Sequence, residues 1–319
     1  MLNVQTSSSL SKPGSGIIKQ PLLKKYLAFK YLYLMLIPGI IYYIVFRYIP
    51  IYGVTIAFKD FRILKGIMES PWVGLKYFKM IIDSPDVWKV FTNTLIISGL
   101  KLVINFPATI VFALLLNEVR NINYKKVLQT VSYLPHFLSW VVLAGIVANL
   151  LSPSTGPVNI LLKSLGISPV FFLADANWFR PALIFTALWK EIGWGSIVYL
   201  AALSNTDIQL YDAAKIDGAG RLKQTWHITL PSILPIIIIM FIFAVGAIIN
   251  DDFDQIFNLY NPLVYRVGDV FSTYVYRMGL EQAQYSFATA AGLLKNIIAF
   301  ALIITTNSIA KKFSEYSIW

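Results

Sequence analysis

The sequence predicts an all-α integral membrane protein with six transmembrane helices, and three observations carry that expectation. Of its 319 residues 57% are hydrophobic and 13% are charged, about half the charged share of an ordinary soluble domain. Six apolar stretches approach or exceed the length that crosses a bilayer, where roughly 20 residues span a hydrocarbon core of about 30 Å. None alternates strictly between polar and apolar residues, which argues against a membrane β-barrel.

The elements follow in order. Residues 1–28, rich in Ser, Gly and Lys, read as a flexible cytoplasmic tail. Residues 29–88 hold the first span, Tyr31 to Ile51, and a long extracytoplasmic segment containing "SPWVGLKYF". A cleaved leader is the competing reading of this start. However, the apolar run continues to Phe58 with only Arg47 interrupting it, too long for a leader core, and no small-x-small cleavage pattern follows. Trp72 and Trp88 suit the headgroup level. Residues 89–311 form the core domain, with spans at Asn93 to Leu116, Val127 to Leu151, Pro181 to Leu203, Ser232 to Ile249 and Ala288 to Ala310. Residues 312–319 are a second short tail. An even number of spans puts both termini on one side. A weak bias of Lys and Arg, leaning on the acid-free N-terminus, puts that side in the cytoplasm.

Several function classes drop out. The net charge of +11 reads as topology and not as nucleic-acid affinity, because no basic block is interleaved with base-stacking aromatics. The chain has no cysteine, which removes disulfides, thiolate metal sites and cysteine nucleophiles. His136 and His227 are the only histidines, and no H-E-x-x-H or paired acid-base spacing accompanies them, so no metal, cofactor or catalytic group is expected. No G-x-x-x-x-G-K-[ST] loop occurs, so the chain does not hydrolyse ATP itself.

Charges inside spans are costly and usually face an interior. Lys101 lies in span two, Lys190 and Glu191 in span four between Trp189 and Trp194, and Lys295 in span six. Snorkelling or an internal ion pair that fixes helix packing accounts for them as well as a substrate role does. A polar pair beside aromatic rings suits a sugar, and for an acidic sugar Lys190 or Lys101 is the favoured contact. Asn250, Asp251, Asp252 and Asp254 cluster at the outer end of span five, without the glycine and terminal Glu of an EF-hand loop.

The polar stretch between spans four and five, residues 205–231, is built differently. In "NTDIQLYDAAKIDGAG", Thr206 and Gln209 fit a capping box, and Asp207 adds negative charge to the first turn. Ala213 and Ala214 favour helix with little bulk, and Gly218 suits a left-handed stop. Residues 220–227 predict a second short helix anchored by Trp226, separated from span five by Pro231. The stretch is short of the Lys and Arg of a bilayer-surface helix, and its alanines and glycine suit docking into a groove.

"YDAAKIDGAGRLKQTWHITLPSILP" resembles the signature loop of permease subunits of binding-protein-dependent ABC importers, E-A-A-x-x-x-G followed by I-x-L-P. Asp212, Ala213, Ala214, Asp217, Gly218, Ala219, Ile228, Leu230 and Pro231 carry the pattern, with Asp212 where the family usually has Glu. "FTNTLIISGLKLVINFPATIVFALLLNE", "YLPHFLSWVVLAGI", "FDQIFNLYNP" and "STYVYRMGL" are similar to permeases for complex sugars, including lipopolysaccharide-type and alginate importers.

The resemblance implies a type I ABC importer permease fold in the cytoplasmic (inner) membrane. The loop would dock on a cytoplasmic ABC ATPase dimer. A second, homologous permease would complete a heterodimer, and an extracytoplasmic solute-binding protein would deliver an oligosaccharide. Lys101, Trp189, Lys190, Glu191, Trp194 and Asp254 are the candidate residues of the substrate path, and the acidic cluster would lie at the outer gate or binding-protein contact. The alternative is a secondary transporter or channel not coupled to ATP, which should show inverted repeats or broken helices in corresponding halves.

Overall fold

The computed structural model describes residues 29–248 and 252–313, so the tails and Asn250 and Asp251 of the acidic cluster lie outside the described residues. Among those described, every regular element is helical, and β structure is limited to the isolated bridges Lys59–Trp72 and Arg62–Gly66. The chain divides into two units, residues 1–53 and 54–319. In the first, helix α1, Lys30–Tyr43, passes through a π turn at Ile44–Tyr48 into Ile49–Ile51. The helix is apolar after Lys30 and runs through Pro38, and none of its side chains is buried.

The second unit begins at Val54, with the 3-10 residues 54–58. Short helix α2, Lys76–Asp83, follows, with Ile81 buried. Helix α3, Pro85–Glu118, runs 34 residues, about 51 Å at 1.5 Å per residue. It starts where a proline at the first position costs no hydrogen bond and Asp86 meets the positive end of the dipole. Helix α4, Ile122–Tyr133, is capped by Asn121, which accepts from the Asn123 and Tyr124 amides. A 3-10 turn, Leu134–Phe137, then leads to α5, Trp140–Leu150, capped by Ser139. The segments Ile122–Phe137 and Trp140–Leu150 meet at 109°. Helix α6, Pro157–Ser164, is followed by α7, Ala176–Leu203, capped by Asp175.

Helix α7 is the axis of this unit. Phe179, Leu183, Ala187, Gly193, Ser196 and Tyr199 are buried along its length. A Cβ on Gly193 would lie 2.2 Å from the Ser132 carbonyl oxygen, so only glycine lets α4 cross α7 this closely. Helices α8, Ile208–Ile216, and α9, Arg221–Gln224, precede α10, Leu230–Gly246. Beyond α10 come α11, Phe253–Leu259, α12, Phe271–Tyr276, and the long closing helix α13, Tyr285–Phe313. Two apolar clusters hold the unit together. One joins Ile81 of α2 and Val87 of α3 to Phe271, Phe287 and Ala291; the other joins Ile97 and Val147 to Phe179, Leu183 and Ile256.

Four helices are long and apolar enough to cross a membrane, Lys30–Phe58, Pro85–Glu118, Arg221–Gly246 and Tyr285–Ser308, and the bent pair α4–α5 makes a fifth if counted as one span. Helix α7 has the length, 28 residues, but Lys190 and Glu191 at its middle make it less apolar than these. The large apolar side chains left exposed on these helices, among them Leu34, Val103, Phe185 and Phe300, form the surface expected of a chain solvated by lipid.

Candidate functional site: a charged cavity and an exposed knob

A cavity of about 450 Å³ lies between α3, α7 and α10. Helix geometry selects its lining. Glu191, Gly195 and Tyr199 recur at four-residue intervals on α7 and share one face. Lys101, Asn105 and Thr109 do the same on α3, and Met240, Phe243 and Ala244 come from α10. Asp252, at the N-cap position of α11, completes the wall.

The Lys101 side chain is only 13% exposed, and its ammonium donates to Asp252 Oδ2 at 2.6 Å and to Gln255 Oε1 at 2.5 Å. Gln255 is fully buried. Its amide donates to the Leu183 carbonyl at 2.7 Å and to Thr186 Oγ1 at 2.9 Å, which leaves its carbonyl free to accept from Lys101. Lys101 therefore ties α3 through α11 to α7. Asn105 Oδ1 is a buried acceptor without a hydrogen-bond partner. Neither Gln255 nor Asn105 was a candidate from sequence; an amide inside an apolar run, as in "FDQIF" and "VINFP", is the signal that points to them.

Lys190 and Glu191 do not pair with each other. Adjacent helical positions point about 100° apart, and the two charges have separate partners. Lys190 is buried, and its ammonium donates to the carbonyls of Pro135 at 3.3 Å, His136 at 2.7 Å and Leu138 at 2.7 Å, with the Trp140 ring 5.6 Å away. These carbonyls lie at the bend between α4 and α5, where that of Pro135 also accepts from the Leu138 amide at 3.2 Å. Glu191 instead accepts from His136 Nδ1 at 2.9 Å, since a carboxylate can only accept. The His136 ring stacks on Trp194 at 4.4 Å and 3°.

Trp189 is five residues from Trp194 and so faces elsewhere. It lines a second, apolar cavity of about 760 Å³ with Phe172, Trp178 and Phe185. Asp254 is exposed in the first turn of α11. The cavity thus gathers Lys101 and Glu191 of the sequence candidates, adds Asp252, and excludes Lys190 and Trp189. Among the described residues, no group of acids and histidines is arranged to hold a metal ion.

The stretch 205–231 folds as two short helices around a left-handed turn. The cap of α8 is Asp207, whose side chain accepts from the Gln209 amide at 2.9 Å. This corrects the expected capping box, for Thr206 Oγ1 is buried and unpartnered. The carboxylate one residue on reaches the second helical amide and carries the charge that the dipole favours. Gly218 has φ +75°. Its amide reaches the Lys215 carbonyl at 3.1 Å and that of Ala219 reaches Ala214 at 2.8 Å, the paired bonds of a Schellman stop.

Asp212 pairs with Lys215 at 2.9 Å, and Arg221 reaches Glu118 at the end of α3 at 2.8 Å. Asp212, Ala213, Asp217, Gly218 and Pro231 are exposed, while Ala214, Ala219, Ile228 and Leu230 are half-buried. Trp226, the large apolar residue of the second helix, is 67% exposed, in company with Ile216 and Leu222. Pro231 does not break the chain either. A π turn at Thr225–Thr229 joins α9 to α10, absorbing the bond that the proline cannot make.

Residues 105–314 match the family described as the binding-protein-dependent transport system inner membrane component. The chain belongs to that family. This membrane component is 45% identical over 302 residues to Protein LplB of Bacillus subtilis, covering 95% of this chain and 94% of that one. It is 44% identical to the polygalacturonan/rhamnogalacturonan transport system permease protein YteP of the same organism, with 94% of each chain covered. Among solved structures, it is similar to a chain of a bacterial ABC transporter involved in the import of the acidic polysaccharide alginate. The identity there is 41% and the TM-score 0.85, covering 91% of this chain and 98% of that one.

Proposed function

We propose that this chain is the permease subunit of an ABC importer that carries a uronic-acid oligosaccharide inward, driven by ATP hydrolysis in a separate ATPase dimer. The observation that carries this reading is the exposed knob at 205–231, continuous in helix with a wall of the charged cavity. Its small and apolar exposed side chains, Ala213, Ile216, Leu222 and Trp226, suit burial in a protein cleft, and its Schellman stop and the Arg221–Glu118 pair suit transmission of force. The shorter reach of Asp212 leaves it paired with Lys215 within the helix.

The cavity supports a sugar as cargo. Carboxylates and amides on its wall accept from and donate to hydroxyls, Phe106, Tyr199 and Phe243 offer apolar faces, and Lys101 supplies positive charge. An acidic cargo is consistent with relatives whose names specify polygalacturonan and alginate. In the proposed assembly six spans place both termini in the cytoplasm, with α7 as the fourth and α4–α5 as the bent third. Residues 89–311 act as the core, 29–88 as the first span and outer segment, and 1–28 and 312–319 as cytoplasmic tails. A second permease closes the path as a heterodimer, and a solute-binding protein delivers cargo to the outer face, where Asp254 is exposed.

Purification of the chain from membranes tests this. The expected result is co-isolation with an ATPase subunit and sugar uptake into proteoliposomes that requires ATP. Uptake driven by an ion gradient alone would point instead to a secondary transporter and sink the proposal.

A further inference from the structure

We infer that Lys101 is a counter-charge which an acidic sugar takes over from Asp252, so that the carboxylate of the cargo itself releases the tie between α3 and the start of α11. The inference rests on the uronic-acid reading above. Among the described residues lining the cavity, Lys101 is the only cation, because Lys190 is committed to the carbonyls at the α4–α5 bend.

Its two partners differ in kind. Gln255 is fully buried and fixed to α7 through both amide bonds, to Leu183 and Thr186, so its carbonyl stays with Lys101. The Asp252 side chain is 54% exposed, and it is the partner that can be exchanged.

Chemistry decides what can exchange with it. A uronate carboxylate has the same charge and the same acceptor geometry as Asp252, so the charge-assisted hydrogen bond is replaced and not lost. The displaced Asp252 is left at an exposed position, where water solvates it. A neutral sugar offers hydroxyls alone. To displace Asp252 it would leave the ammonium, 13% exposed, without a counter-ion, and a desolvated charge without a partner is strongly disfavoured. Glu191, held by His136 at 2.9 Å, also lines the cavity. It repels a carboxylate and so favours the orientation in which the acid group meets Lys101. Loading an acidic cargo therefore severs one of the ties that hold α11 to α3, and loading a neutral cargo of equal size leaves it closed. The membrane component selects for charge independently of the solute-binding protein.

The complete importer in proteoliposomes, with its ATPase, partner permease and binding protein, tests this with uronate trimers and their uncharged methyl esters. Wild type is expected to take up a uronate trimer in preference to its ester. Lys101→Met should reduce uronate uptake at least about tenfold, the smallest effect expected from losing a charge-assisted hydrogen bond, while Lys101→Arg keeps the preference for acid over ester. Asp252→Asn removes the competing carboxylate and leaves Lys101 in place. It should lower the concentration of uronate-loaded binding protein that gives half-maximal ATPase stimulation, a readout that survives if Lys101→Met fails to assemble. Wild-type uronate uptake in an assembled Lys101→Met importer, or an unchanged half-maximal concentration in Asp252→Asn, overturns the exchange and leaves the substrate reading standing. A wild type that carries only neutral trimers overturns the substrate reading, and the exchange falls with it.

Discussion

Replacing Lys190 by Met separates the two roles a lysine in the middle of a long, mostly apolar helix can play. The substitution keeps most of the side-chain volume and removes the three donors. In the structure two of the lost bonds are short, 2.7 Å to each of the His136 and Leu138 carbonyls, and the third, to Pro135, is 3.3 Å. Hydrogen bonds to a charged group contribute about 1.5–3 kcal/mol each, so the two short ones amount to about 3–6 kcal/mol. The cation–π contact with Trp140 at 5.6 Å adds about 0.5–1 kcal/mol. Burying a methionine in place of an ammonium returns part of this, and the expected net loss is about 3–5 kcal/mol, at the upper end of single substitutions. The assay is the fraction of monodisperse protein surviving a heat step in detergent, with transport kinetics on what remains. The expected outcome is a large drop in thermal resistance, with KM for cargo unchanged in the surviving fraction. A variant as heat-resistant as wild type but with a raised KM would refute the reasoning and return Lys190 to the substrate path.

The remaining predictions address other joints. Gly193→Ala places a methyl group 2.2 Å from the Ser132 carbonyl oxygen, so α4 must move off α7, at about 1–3 kcal/mol for overpacking; the same heat-step assay should show it, more mildly than Lys190→Met. Gly218→Val forces a β-branched residue to φ +75°, a cost of about 1–2 kcal/mol confined to the knob, so insertion in the membrane should persist while cargo-stimulated ATP hydrolysis is lost; unchanged stimulation would refute the docking role. In the segment after α1, Tyr77 donates to Asp60 at 2.7 Å and, with Arg62 and Lys76, holds the Asp60 carboxyl below its ordinary range against the effect of burial. Burial and Asp60 push the Tyr77 hydroxyl up. A depressed carboxyl stabilises the fold above its unfolded pKa of about 3.9 and loses that contribution as pH falls through the folded value, while a raised phenol contributes fully below about 10 and loses it as pH rises. Protease resistance of residues 54–84 should therefore be flat between these limits and fall outside them, and Tyr77→Phe should abolish the alkaline fall.

The legible part of the sequence is the part set by local chemistry. Apolar runs place α1, α3, α10 and α13, and the Gly218 stop follows from a residue that alone tolerates the left-handed turn. The charged cavity was half legible. Lys101 and Glu191 stand out because ionisable groups inside spans are rare, but their partners Asp252, Gln255 and His136 lie 151, 154 and 55 residues away, and no local pattern encodes such pairings. The same limit applies to Lys190 and Glu191. Neighbours in sequence look like partners until the helix points them about 100° apart, and only the position of the α4–α5 bend shows that Lys190 serves backbone. The Pro231 break failed for the opposite reason. Proline is a dependable local signal, but a π turn one residue upstream satisfies it, and π turns have no residue signature.

That unbroken passage from knob to span bears on how force would travel under the proposed function. Phe243, which lines the cavity, lies 13 residues beyond Leu230 on α10, about 20 Å along the axis at 1.5 Å per residue. A hinge at Pro231 would let the knob swivel without moving that wall. With α9, the π turn and α10 forming one helix, a push on the exposed face of α9 must instead tilt the whole rod. Arg221 adds a second lever, because its bond to Glu118 grips the end of α3, the helix that presents Lys101 to the cavity. Each contact alone is an exposed ion pair or a single turn of helix, worth at most about 1 kcal/mol. Their joint effect is geometric: displacement of α9 moves α3 and α10 together, and these two helices supply most of the cavity wall facing α7. The pair Glu118→Arg with Arg221→Glu tests it, since each single reversal should lower the sugar moved per ATP hydrolysed while the double reversal restores it. Failure of the double variant to recover would mean that α3 is driven by another contact.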